Sequence, residues 1–98
     1  MSAVLIPRLN SNEDEVLLAS LSVSLGDDVE IGQELAILES TKAVQSVYAE
    51  ISGQVSNIFS SEGNMVAVGS VLIHIGENNI VNYIKYVNLF HKIKTDGM

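Results

Sequence analysis

Short apolar segments broken by turn-forming residues run through most of the chain. Val4 to Ile6, Val16 to Val23, Leu35 to Leu38, Val44 to Tyr48, Val55 to Phe59 and Val71 to Ile75 are rich in Val, Ile and Leu. Between them lie Pro7, the polar run Asn10-Ser11-Asn12-Glu13-Asp14-Glu15, Gly26-Asp27, Gly32, Gly53, Gly63-Asn64, Gly69 and Gly76. Aliphatic segments of this length between turn formers predict strands. Many short strands with glycine turns predict a sandwich or barrel. Nothing in 1–76 has helical periodicity.

The pattern repeats. Shifted by 37 residues, 26–38 falls on 63–75: Gly26 meets Gly63, Val29 meets Val66, Gly32 meets Gly69, Leu35 meets Leu72 and Leu38 meets Ile75. Further upstream Leu18 meets Val55 and Leu21 meets Ile58. Each copy reads strand, glycine turn, short strand, glycine turn, strand. A spacing of three between apolar positions breaks strict alternation in both copies, and a β-bulge there would restore the inward face. Each half exposes one apolar face that it cannot bury alone. Two halves packed about a pseudo-two-fold axis close a small core. The axis puts the segment after Leu38, Glu39-Ser40-Thr41-Lys42-Ala43, at the end of the body away from the termini.

Composition narrows the chemistry. The chain has 98 residues, 47% hydrophobic and 17% charged, with a mean hydropathy of +0.30, as a single globular domain has. It has no cysteine, which excludes disulfides and thiolate chemistry. His74 and His91 show no ligand spacing, so no metal site is expected. The formal charge is −7, which argues against nucleic acid as a partner. Residues 1–79 carry eleven acids against only Arg8 and Lys42. No apolar run is long enough to span a bilayer, and the N-terminus lacks signal-peptide character, so no membrane association and a cytoplasmic location are expected. No nucleophile-elbow motif or phosphate-binding glycine loop occurs. His74, the repeat partner of Ile37, reads as a strand histidine.

One lysine therefore stands out. Lys42 is the only lysine in 1–79, and it lies between two strand segments. The turn holds no Gly, Asn or Pro, so a primed hairpin turn is not signalled, and a type I turn with Thr41 and Lys42 at its tip fits.

Residues 4–75 resemble the lipoyl/biotinyl carrier domains. Leu38-Glu39-Ser40-Thr41-Lys42-Ala43 is similar to the lipoyl-lysine hairpin of dihydrolipoyl acyltransferases, and Gly26 and Gly53 lie at the family's usual distances before and after the lysine. The resemblance implies a flattened barrel of two four-stranded antiparallel sheets, all-β, over a carrier domain of residues 1–76. It implies lipoate attached to Lys42, with Thr41 and Ala43 shaping the turn and its recognition. Glu39 stands where the family also has a glutamate, and Gly26 and Gly53 provide backbone conformations that a side chain would hinder. Biotinyl domains usually flank the lysine with methionine, whereas here Thr41 and Ala43 do so, which favours lipoate over biotin. The family's acyltransferases usually place aspartate before the lysine, and Thr41 replaces it. The stretch Glu39-Ser40-Thr41-Lys42-Ala43, followed by Ser46 to Gly53, also resembles the glycine-cleavage carrier protein, which is kept as an alternative.

The resemblance further implies a non-catalytic swinging-arm carrier, loaded by a lipoyl ligase or octanoyl transferase. Its partners would be a thiamine-dependent 2-oxo acid dehydrogenase or decarboxylase and dihydrolipoyl dehydrogenase. The competing reading is an interaction module that keeps the fold and carries nothing. Residues 77–98 break the strand pattern. Ile80, Ile84, Val87 and Phe90 recur at helical spacing, which predicts a short C-terminal helix.

Overall fold

The computed structural model describes residues 2–77, and alternation of buried and exposed positions organises them into strands. In β2 (Glu15–Leu21), Val16 and Leu18 are buried while Glu15 faces solvent, as expected of a strand with one face on a core. The other strands are β1 (Ser2–Leu5), β3 (Asp28–Val29), β4 (Glu34–Glu39), β5 (Val44–Tyr48), β6 (Gly53–Ile58), β7 (Met65–Ala67) and β8 (Val71–Glu77). Every segment expected as a strand is one, and β3 and β7 are the short strands between glycine turns. No helix occurs among the described residues. The helix expected over 77–98 lies outside them, apart from Glu77, which ends β8.

Two four-stranded antiparallel sheets result, with orders β1-β8-β6-β3 and β5-β4-β2-β7. The second order is the first with each strand replaced by its counterpart in the other half of the chain. The internal two-fold is thus built into the topology. It is also visible bond by bond. Gly26 N donates to Val55 O at 2.8 Å, and Gly63 N donates to Leu18 O at 2.8 Å. Ser22 N donates to Leu35 O at 2.8 Å, and Phe59 N donates to Leu72 O at 2.9 Å.

The bulges expected from the broken alternation occur in both copies. The β4–β5 ladder skips Leu35, and the β1–β8 ladder skips Leu72. Each bulge lets two consecutive residues face inward, Leu35 with Ala36 and Leu72 with Ile73, before alternation resumes at Leu38 and Ile75; all six are buried. A second pair of bulges skips Ala19 in β2 and Ser56 in β6. The core is one cluster between the sheets, in which Leu18 and Val55, and Val29 and Val66, are further repeat mates. Burying such a side chain contributes about 1.5–3 kcal/mol.

Two glycines show why the turns and the sheet tolerate no side chain, for different reasons. Gly26 has φ +91° in the turn before β3, a left-handed conformation that costs other residues energy. Gly53 is not left-handed. A Cβ there would strike the Gly76 carbonyl oxygen and come within 2.7 Å of Ile75 Cγ2, so its reason is close approach of β6 to β8 and not a special dihedral.

The topology sets the poles of the body. Ser2 pairs with Ile75 and Gly53 with Glu77, so the start of β1 and the end of β8 share one end. At the other end, Val71 opposite Leu5 follows a tight turn from Ala67, which pairs with Glu15. Glu39 and Val44, the last ladder pair before the lysine turn, lie beside that row, because Glu39 also pairs with Leu17. The lysine turn therefore stands at the pole away from Ser2 and Glu77. His74 lies in β8 and meets Phe59 edge to face, with ring centroids 4.8 Å apart.

Candidate functional site

Residues 40–43 join β4 to β5, and a side chain closes the turn. Ser40 N donates to Ala43 O at 2.8 Å. Ser40 Oγ accepts from Lys42 N at 3.3 Å and from Ala43 N at 3.1 Å. This hydroxyl does the work of a backbone carbonyl in a tight turn. No residue of the turn has positive φ. The tip thus forms without the Asn-Gly or Gly-Gly chemistry of primed hairpins, as the sequence suggested. Lys42 is exposed at its apex, and among the described residues it forms no ion pair. The two strands beneath are firmly rooted: Leu38 in β4 and Val47 in β5 are buried.

A second segment reaches the tip. Residues 6–14 link β1 to β2, whereas the equivalent link between β5 and β6 is only 49–52. The longer segment folds on itself. Asn10 Oδ1 accepts from Asn12 N at 2.9 Å and from Glu13 N at 3.0 Å. Arg8 donates to Glu13 O at 3.0 Å and pairs with Asp14 at 2.8 Å. Its Glu13 carboxylate then accepts from Thr41 N at 3.3 Å and from Thr41 Oγ1. Arg8, one of the two bases among the described residues, is occupied in this loop, which leaves Lys42 as the cation at the apex.

Of the residues picked out by sequence, Glu39, Thr41, Lys42 and Ala43 come together at this pole. Glu39 is half-buried on the outward side of β4. Gly26 and Gly53 do not join them. They lie toward the opposite pole, where they permit a turn and a close strand approach. Glu13 is the residue that the sequence reading left inside a polar run. The excess length of its loop over the second copy is the signal that marks it.

Among the described residues the arrangement offers a single lysine amine, at the apex of a turn whose strands are rooted in the core. Among the described residues no group of His, Cys, Asp or Glu is placed to hold a metal, and no helix is long and apolar enough to cross a membrane. An exposed amine at a fixed apex suits covalent attachment of a cofactor by amide formation.

Several known proteins are similar to this chain. The biotin/lipoyl family model, described as "Biotin-requiring enzyme", matches residues 2–75. The Biotin/lipoyl attachment protein of Bacillus subtilis (strain 168) is 39% identical over 61 residues, 62% of this chain and 84% of that protein. The dihydrolipoyllysine-residue succinyltransferase component of the 2-oxoglutarate dehydrogenase complex of Staphylococcus saprophyticus is 29% identical over 79 residues. That match takes in 81% of this chain but only 19% of the longer protein. Among solved structures, the lipoyl domain of the 2-oxoglutarate dehydrogenase complex from Azotobacter vinelandii has a TM-score of 0.63 at 25% identity, covering 76% of this chain and 98% of that one. A succinylglutamatedesuccinylase/aspartoacylase from Rhodobacter sphaeroides shares the fold, with a TM-score of 0.58 at 18% identity over 76% of this chain and 22% of that one.

Proposed function

This chain belongs to the biotin/lipoyl attachment domain family, and we propose that within it the chain is a lipoyl carrier whose swinging arm is built on Lys42. The observation that carries this reading is the apex: an exposed lysine on a turn closed by Ser40, flanked by Thr41 and Ala43, on two strands rooted in the core. The absence of methionine on either side favours lipoate over biotin.

The chain's own part in loading is to present a nucleophile. The Lys42 amine, once deprotonated, attacks the activated carboxyl carbon of a lipoyl or octanoyl group held by a separate enzyme. The N–C bond of an amide forms, the activating group leaves, and the second amine proton passes to solvent. The product lacks the lysine's charge. Attached lipoate supplies a disulfide that takes up an acyl group with two electrons and yields them to later enzymes. The protein contributes position. A tethered arm raises effective concentration only about a fixed root, and the Ser40 bonds and the β4–β5 ladder provide that root. The partners in this reading are a thiamine-dependent 2-oxo acid dehydrogenase or decarboxylase and dihydrolipoyl dehydrogenase.

Intact mass tests it. The chain is expressed with a lipoyl ligase and lipoate, and separately with a biotin ligase and biotin. A single lipoyl adduct, mapped to Lys42 by peptide sequencing, is the expected result. A biotin adduct alone moves the chain to the biotinyl branch. No adduct in either arm leaves it a fold-retaining interaction module.

A further inference from the structure

We propose that the outward face of the β5-β4-β2-β7 sheet is the docking surface for the enzyme that acylates Lys42. This rests on the reading of Lys42 as the attachment point. The internal two-fold supplies the control. Val44, Glu39, Leu17 and Met65 form one cross-strand row on this sheet. Val16 and Leu18 are buried on the core side, so Leu17 and its row face outward. The next row holds Ile37 between Ser46 and Ser20. Val44 is 67% exposed and Met65 57%.

The same rows exist on the other sheet. Asp28 pairs with Gln54, and Gln54 pairs with Gly76, while His74 lies between Ala3 and Asn57. By the 37-residue shift, Met65 corresponds to Asp28, Leu17 to Gln54 and Ile37 to His74. The backbone environment is the same on both sheets, so strand formation alone asks for neither set. In these two rows the apolar residues fall on the sheet that bears the lysine, whereas the opposite sheet exposes Leu5 and Phe59 outside them. Exposed apolar surface beside a functional group marks an interaction site.

The acylating enzyme is the occupant that fits. Before loading, the amine stands only one lysine side chain above the turn. An enzyme acting on it must therefore seat itself on the strands that flank the turn, which are β4 and β5. Enzymes acting at the end of a loaded arm can stand further off. Glu39 lies between Val44 and Leu17 in that row and Glu15 lies two positions from Leu17 on the same face, so the partner presents apolar surface with basic groups set among it.

The test transplants the polar mates. Leu17→Gln with Met65→Asp is made in the full chain, together with Met65→Asp alone and, on the opposite sheet, Asp28→Ala. Folding is checked by circular dichroism and loading is followed by intact mass with a lipoyl ligase. The double variant is expected to fold and to raise KM for the unmodified chain at least tenfold with kcat nearly constant. Met65→Asp alone should raise it about threefold, and Asp28→Ala should leave it unchanged. Equal kcat/KM in a folded double or single variant overturns the docking proposal while leaving the attachment reading intact. A wild-type dimer in sedimentation that the double variant dissolves also overturns it, because the face is then a contact between copies. A wild-type chain that takes no lipoyl group removes both readings together.

Discussion

Glu13 accepts hydrogen bonds from the backbone amide and the hydroxyl of Thr41, 28 positions away. Through this contact the loop that breaks the internal symmetry grips the residue beside the lysine. Thr41 is exposed and Glu13 half-buried, so the bond restrains the tip more than it stabilises the fold. Glu13→Ala is expected to leave the melting temperature nearly unchanged and to speed hydrogen exchange at the Thr41 amide by roughly fivefold, as loss of about 1 kcal/mol implies. Unaltered exchange would mean that the loop does not hold the tip in solution.

Thr41→Asp sets a second carboxylate against Glu13 and removes the hydroxyl donor. Lipoylation of Lys42 should continue near the wild-type rate, while reductive acylation by a 2-oxo acid dehydrogenase changes. The change should shrink as salt is raised, because the introduced carboxylate stands at an exposed position, open to screening. Intact mass and acylation rates across a salt series check this. A block of lipoylation by Thr41→Asp counts against the division between loading and use.

Lys42→Gln should fold normally and accept no lipoate. The paired exchange Thr41→Lys with Lys42→Thr moves the amine one residue from the apex, to the position held by Glu13. It should fold, since exposed turn substitutions usually change stability by less than about 0.5 kcal/mol, and be modified poorly. Full loading of the exchanged form, read by intact mass, would show that access and not turn geometry selects the amine.

The two glycines separate conformation from space. Gly26→Ala meets no atom within 4 Å but must adopt φ +91°, for a cost of about 1 kcal/mol. Gly53→Ala pushes a methyl group against the backbone of Gly76, for a cost of about 3 kcal/mol. Urea unfolding of both variants should show the larger loss at Gly53. The opposite order would place the tolerance in the sheet and not in the turn.

Most of the fold was legible because duplication doubles every signal. Gly26 and Gly63, or Leu35 and Leu72, each vouch for the other, and the bulges followed from the broken alternation they share. The lysine turn was legible because Ser40, Thr41, Lys42 and Ala43 are contiguous. The grip of Glu13 on Thr41 was not, since only the pairing of Leu17 with Glu39 brings the end of that loop beside the turn. The reason for Gly53 was also hidden, because a close approach of β6 to β8 leaves no mark on either segment alone. The chemical contrast between the two outward faces needed the registers of Leu17 and Gln54 before it could be seen.

The placement of the poles has a mechanical consequence. The lysine turn joins β4 to the edge strand β5, β8 ends at Glu77, and β4 and β8 are each interior to their sheets. Tension between Lys42 and Glu77 would run along both strands and load their ladders on both sides in shear. The domain is thus built as a stiff link between whatever is tethered at one pole and whatever is handled at the other.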